Sequence, residues 1–298
     1  MTERPNSFAL DNRAELHGAD TYTRVFAINK RTRTLILLAF FCFLIAAVMI
    51  AGFVMDPQAY GPNYDLKRQM PSLNHLFGTD YLGRDMLART IKGLSLSMTI
   101  GLVASLVSAG IAVVLGIASA TLGGITDRFV NWAVDLAMGI PHLVLMILIS
   151  FMMGRGLTGV VVAVAITHWP SLTRVIRAEV LQLRGEPYVK VAQALGHGSL
   201  WIGARHILPH VLPQFLVGLI LLFPHAILHE AALTFLGFGL PFDQPAIGSI
   251  LSEAMKHLST GMWWLAFFPG LSLLIVVLLF KALGENLALL TNPHSFHT

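Results

Sequence analysis

Charge is what this chain has least of: Asp, Glu, Lys and Arg make up 12% of its 298 residues, about half the roughly 25% of an ordinary globular domain. That scarcity, with 55% hydrophobic residues and a mean hydropathy of +0.69, excludes disordered and collagen-like chains, which are polar. A formal net charge of +4 is too small for a nucleic-acid-binding footprint. Cysteine occurs once, as Cys42 inside an apolar run, which excludes a disulfide framework and any cysteine-rich zinc or iron-sulfur site. Long uncharged stretches are what the chain has in plenty, and an all-α membrane protein is the class that remains.

Residues 1–33 are polar and carry Arg4, Arg13, Arg24, Lys30, Arg31 and Arg33, whereas 35–55 holds no charge and is long enough to cross a bilayer. This run is longer than the apolar region of a cleavable signal and does not end in small residues, so it reads as a retained anchor. Further apolar stretches at 95–122, 129–153, 158–173, 208–229 and 262–283 predict six spans in all. Six crossings return both termini to one side, and that side collects most of the 20 basic residues, which makes it cytoplasmic by the positive-inside bias. The expected organisation is a cytoplasmic tail over 1–33, a six-span domain over 34–290 and a cytoplasmic tail over 291–298. External loops fall at 56–94 and 236–261, and a cytoplasmic loop falls at 174–206. No loop is long enough to bury a catalytic domain, so energy for any transport must come from partners or an ion gradient.

Within the cytoplasmic loop, Pro187 follows Glu186 as a helix opener does, and Gly196 and Gly198 break the helix again, predicting a short helix over 188–195. Side-chain physics leaves two roles open, an interfacial connector covering the bundle or a helix docked in a groove of a partner. The pattern Lys190-Val-Ala192, Gly196, then His206-Ile-Leu208-Pro209 resembles the EAA loop of ABC-importer permeases, whose coupling helix sits in a cleft of the ATPase. Ala192, Gly196, Leu208 and Pro209 match that pattern; Lys190, Val191 and His206 depart from it. The resemblance implies a coupling role for Glu186, Tyr188, Ala192, Leu195, Gly196, Leu208 and Pro209, with Tyr188, Ala192 and Leu195 presented to the cleft.

A second motif lies in the first external loop. The residues His75, Gly78, Thr79, Asp80, Gly83, Arg84 and Asp85, followed by Arg89, resemble the His-x-x-Gly-Thr-Asp-x-x-Gly-Arg-Asp signature of peptide/nickel-type importer permeases. Individually these side chains read as structural: Thr79 or Asp80 caps a helix, and Asp80/Arg84 and Asp85/Arg89 form i,i+4 pairs worth tenths of a kcal/mol each. A location at the outer face implies that the motif frames the mouth where a substrate-binding protein docks. The block from Ile227 to Pro241, with Trp263, Trp264 and Phe268-Pro269-Gly270, resembles the same family, while Ile247 and the Gly284-Glu-Asn-Leu-Ala-Leu stretch depart from it.

Twelve histidines are many for so apolar a chain. His206/His210 and His225/His229 are each four apart, which puts both rings of a pair on one helix face, and neutral imidazole suits nickel, copper or zinc. His206 and His210 read as polar helix-end residues. His225 and His229, with the adjacent Glu230 and with His168 in the preceding span, read either as a substrate pathway or as satisfied helix contacts. Nickel permeases of the family resemble the chain at these points, so nickel or a metal chelate is the first expected substrate and a dipeptide or oligopeptide the second. No stable metal site and no cofactor on this chain are expected.

The resemblance implies a permease subunit in a bacterial cytoplasmic membrane. Its partners would be a homologous second permease, two ATPases that bind ATP and Mg, an extracytoplasmic substrate-binding protein and membrane lipid, with no nucleic acid. The permease itself would catalyse no bond chemistry. An ion-driven secondary transporter relaying protons through Glu230, Asp135 and the histidines is the rival class, but it predicts inverted repeats with broken helices, which the sequence does not display. An intramembrane hydrolase lacks support, since neither His-Glu-x-x-His nor Gly-x-Ser-x-Gly occurs.

Overall fold

The structure, a computed structural model, describes residues 30–291; of the tails expected over 1–33 and 291–298, residues 1–29 and 292–298 lie outside the described residues, and 30–33 already belong to the first helix. Regular structure among the described residues is helical. The chain opens with α1 (Lys30–Val54), and Asp56, Pro57 and Asn63 then fold the first loop into two short 3-10 turns. Next comes α2 (Met86–Leu122), whose N-terminus is capped by Asp85 accepting from Ala88 N–H at 2.9 Å. Residues 86–94, expected in the external loop, are therefore the first turns of a span.

The third apolar stretch is not one straight helix. It forms α3 (Gly124–Gly139) and α4 (His142–Met152), bent by 96° at the break. Pro141 causes the break: the residue before a proline is driven to extended geometry, and Ile140 adopts φ −91° and ψ 135°. Five helices among the described residues are long and apolar enough to span a bilayer, or six if this bent pair counts as one. The expected six spans thus rest on reading the pair as a single broken crossing.

The remaining helices are α5 (Gly156–Arg184), α6 (Pro187–Ala194), α7 (Ser199–Ile202), α8 (Leu208–Phe235), α9 (Ile247–Met255) and α10 (Trp264–Thr291). A π-turn over Gly203–Ile207 joins α7 to α8, so the expected loop 174–206 is helical at both of its ends. Similarly, α9 occupies part of the expected loop 236–261.

Helix α2 is the central post. Its buried stripe of Gly101, Ala104, Ser105, Ser108, Ala112, Gly116 and Ser119 recurs at helical spacing, and small residues let neighbouring helices approach closely without any hydrophobic drive between them in lipid. A Cβ on Gly116 would lie 2.7 Å from Ile176 of α5, and one on Gly101 2.7 Å from Ile227 of α8. At one end, Asp127 of α3 takes a bidentate pair from Arg177 of α5 at 2.7 and 2.8 Å. Helix α1 packs on the flank, with Ser95 Oγ donating to Met49 O at 3.1 Å, and leaves Phe43 and Phe53 exposed on what reads as a lipid-facing surface.

Candidate functional site

Three constellations carry the residues singled out in the sequence. The first is the loop before α2. Asp80, buried at 1% exposure, accepts from the backbone N–H of Leu82 and Arg84 at 2.8 and 2.9 Å and takes Arg84 Nε at 2.5 Å and Arg89 Nη1 at 2.8 Å. Both guanidiniums continue to Glu253 of α9, Arg84 Nη2 to Oε1 at 2.7 Å and Arg89 Nη2 to Oε2 at 2.8 Å. Tyr81 Oη donates to the same carboxylate at 2.5 Å. Burial pushes the Glu253 carboxyl up, but the Arg89 charge and the hydrogen bonds from Tyr81, Arg89 and Arg84 outweigh it and hold the group at about 2.

This corrects the pairwise reading. The Asp85/Arg89 pair does not form: Asp85 caps α2 and meets His75 Nδ1 at 2.8 Å, while Arg89 turns to Asp80 and Glu253. Neither Thr79 nor Asp80 is the cap; Thr79 Oγ1 donates to Leu66 O at 2.5 Å and accepts from Gln69 N–H at 2.8 Å. The motif glycines have a steric reason. Gly78 and Gly83 sit at φ +69° and +78°, the left-handed region that only glycine enters freely, and a Cβ on Gly83 would fall 1.7 Å from Asn63 O. Trp264 Nε1 donates to Thr79 O at 3.1 Å, and Phe77 stacks on Phe268 at 4.6 Å, fastening the loop to α10. Sequence reasoning missed Glu253, whose partners lie far away in the chain.

The second constellation is α6. Pro187 starts it after Glu186, and Gly196 at φ +85° ends it, with His197 N–H bonding back to Ala192 O at 3.1 Å. The orientation differs from expectation at Ala192. Val189 and Ala192 are buried and pack with Ile202, Ile207 and Val211, whereas Val191 and Leu195 are 58% and 73% exposed. Residues 188, 191 and 195 share the outward face, so Ala192 holds α6 to the bundle and Val191 takes the outward place assigned to it. Tyr188 stacks on His210 at 5.5 Å. Leu208 and Pro209 are exposed at the start of α8.

The third is a cavity of about 550 Å³ at the α3/α4 bend, walled by α5 and α8 and lined by His142, His168, His225, His229, Thr167 and Pro170 among others. His142, His168 and His229 come together with ring centroids 4.7, 4.7 and 5.1 Å apart. His225 lines the same cavity but does not join them, so the expected His225/His229 pair is replaced by a trio from three helices. His142 was missed because it lies in an apolar run read as a span; the Gly139-Ile140-Pro141 break just before it was the available signal. Glu230 does not line this cavity: it is fully buried and accepts from Thr234 Oγ1 at 2.9 Å. Asp135, the rival relay residue, is an exposed partner of Arg174 at 2.5 Å.

Residues 112–290 match the family described as the binding-protein-dependent transport system inner membrane component. A putative peptide transport system permease protein of Brucella suis biovar 1 (strain 1330) is 34% identical over 249 residues, covering 84% of this chain and 83% of that protein. The dipeptide transport system permease protein DppC of Bacillus subtilis (strain 168) is 30% identical over 82% of this chain and 77% of its own length. The oligopeptide permease OppC of the same organism is 35% identical over 73% and 71%. Among solved structures, a chain of the inward-facing MetNI methionine ABC transporter matches with a TM-score of 0.56, covering 70% of this chain and 98% of that one at 16% identity, a likeness of fold.

Proposed function

The chain belongs to the binding-protein-dependent transport system inner membrane components, as a multi-pass permease subunit of an ABC importer, and from that premise we propose that it forms half of a translocation pathway for short peptides. The observation that carries the substrate is the naming of the relatives: those at 34%, 30% and 35% identity are a putative peptide, a dipeptide and an oligopeptide transport system permease. Nickel, the first expectation from the histidines, is named for none of these relatives, so the peptide reading stands ahead of it.

In this reading the chain binds no nucleotide. ATP and Mg are held by two ATPase partners, which receive α6 through Tyr188, Val191 and Leu195. A second permease closes the cavity from the open side, and a substrate-binding protein docks over the loop locked by Asp80, Arg89 and Glu253. Both termini then lie in the cytoplasm. ATP-driven closure of the ATPases would move α6, and with it α5 and α8, whose side chains wall the cavity. The test is uptake of a labelled dipeptide, beside uptake of nickel, in a strain dependent on the assembled complex. Uptake of the dipeptide that is lost on deleting this chain is the expected result; dipeptide uptake that survives the deletion overturns the reading.

A further inference from the structure

The cavity holds one feature that peptide transport does not require. His168 is buried at 7% exposure. Its Nδ1 lies 2.8 Å from Val164 O, and a carbonyl can only accept, so the ring proton sits on Nδ1. The lone pair is therefore on Nε2, which is buried without a hydrogen-bond partner among the described residues. A backbone carbonyl fixing one imidazole nitrogen so that the other can ligate is the usual outer support of a metal-bound histidine. An unpaired buried acceptor is costly otherwise.

Two further imidazoles complete the set. Ligand atoms of His142, His168 and His229 all lie within 4.8 Å of one another. Tetrahedral coordination at 2.0–2.1 Å needs nitrogens about 3.4 Å apart, so from separations of 4.8 Å or less the rings must close by at most about 1.4 Å. Room for that closure exists: His142 and His229 are only half-buried, and His142 is the first residue of α4, just past the Pro141 break. The three rings come from α4, α5 and α8, so an ion between them would cross-link three helices that converge at the bend.

We propose that His142, His168 and His229 form a three-nitrogen site for a divalent transition-metal ion of the nickel, copper or zinc class, with a fourth position open to the cavity. Three neutral imidazoles suit those ions and not magnesium or calcium. Among the described residues no carboxylate joins the group, and Glu230, the next residue after His229, accepts from Thr234. The positive charge is therefore left for an anionic donor arriving through the cavity, such as the carboxylate or amide nitrogens of a peptide chelate. The site stands on side-chain geometry and goes beyond the peptide reading; it is tested by binding, so failure of either leaves the other open to its own test.

The assembled complex, purified without a polyhistidine tag, is titrated with Ni(II) alone and with Ni(II) premixed with a dipeptide. Co(II) absorption reports the ligand field. One ion per chain in the first arm assigns a site for the free ion; one ion only in the second assigns a site for the chelate; none in either overturns the proposal. Changing His142, His168 or His229 singly to Ala should weaken binding at least about tenfold, since even outer-support losses cost that much. His225→Ala, in the same cavity but outside the trio, should leave it unchanged. Equal loss from His225→Ala, or none from the trio, overturns the assignment. His168→Gln is the second variant should an alanine fail to assemble, and a wild-type cobalt spectrum without nitrogen coordination overturns the proposal whatever the variants do.

Discussion

Arg89 donates through Nη2 to Glu253 Oε2 at 2.8 Å, joining the first turn of α2 to α9 across most of the sequence. Its other arm holds Asp80, so one guanidinium fixes the external loop to two helices. Arg89 is almost wholly buried, and removing one partner of a buried pair leaves an uncompensated charge at a cost of about 3–5 kcal/mol. Glu253→Ala should therefore destabilise the complex by about that amount, read as a lowered melting temperature in detergent. Asp243→Ala, on an exposed loop nearby, should shift it little. Equal melting of Glu253→Ala and wild type would refute a stabilising lock.

The same carboxylate makes stability depend on pH in a definite direction. Glu253 sits at about 2 against an ordinary 4.5. A depressed acid contributes stability that is complete above the unfolded value and is lost as pH falls through the folded one. Acid melting of wild type should lose a component between pH 4.5 and 2, and Glu253→Gln should lack that component. Parallel curves over this window would mean that Glu253 does not titrate as described.

On α6 the two faces separate packing from coupling. Ala192→Glu would bury a charge among Val189, Ile202 and Ile207, an expensive burial without a partner, and should lower the amount of chain in the membrane. Leu195→Glu places its charge on the exposed face and should leave membrane levels near wild type while reducing ATP-driven uptake severalfold. Immunoblots of membranes beside transport rates distinguish the two. Normal uptake by a fully assembled Leu195→Glu complex would remove that face from the coupling role.

These contrasts also mark what the sequence makes legible. Apolar runs of bilayer length are a one-dimensional signal, so α1, α2, α5, α8 and α10 were readable from hydropathy. The bend at Pro141 was not, because counting apolar residues over 129–153 ignores a backbone break that changes no hydropathy. Helical spacing put Tyr188, Ala192 and Leu195 on one side, yet a short amphipathic helix offers several such triplets. Which one faces outward is decided by the bundle that receives Val189 and Ala192. Arg89 has a carboxylate four residues before it, but pairing is set by which acid shares its buried side, and Glu253 arrives there only through the packing of α9. His142 and His168 meet for the same kind of reason: three helices converge where the chain bends, and no local spacing encodes that.

The proposed orientation rests on the charge distribution and is open to direct measurement. In the proposed six-span arrangement, with the bent α3/α4 pair as one crossing, the basic N-terminal segment and the loop that contains α6 share one side, and the positive-inside bias makes that side the proposed cytoplasmic one. Ser72 lies exposed in the loop before α2, and Ser199 lies exposed at the start of α7, so in that arrangement the two positions report opposite faces. Cys42 is exposed on α1 and would contribute background, so it is first replaced by Ser. In intact spheroplasts an impermeant thiol reagent should label a cysteine introduced by Ser72→Cys and spare one introduced by Ser199→Cys; after lysis both should react. The reverse pattern in intact cells would turn the chain over in the membrane and move the α6 face away from any cytoplasmic ATPase.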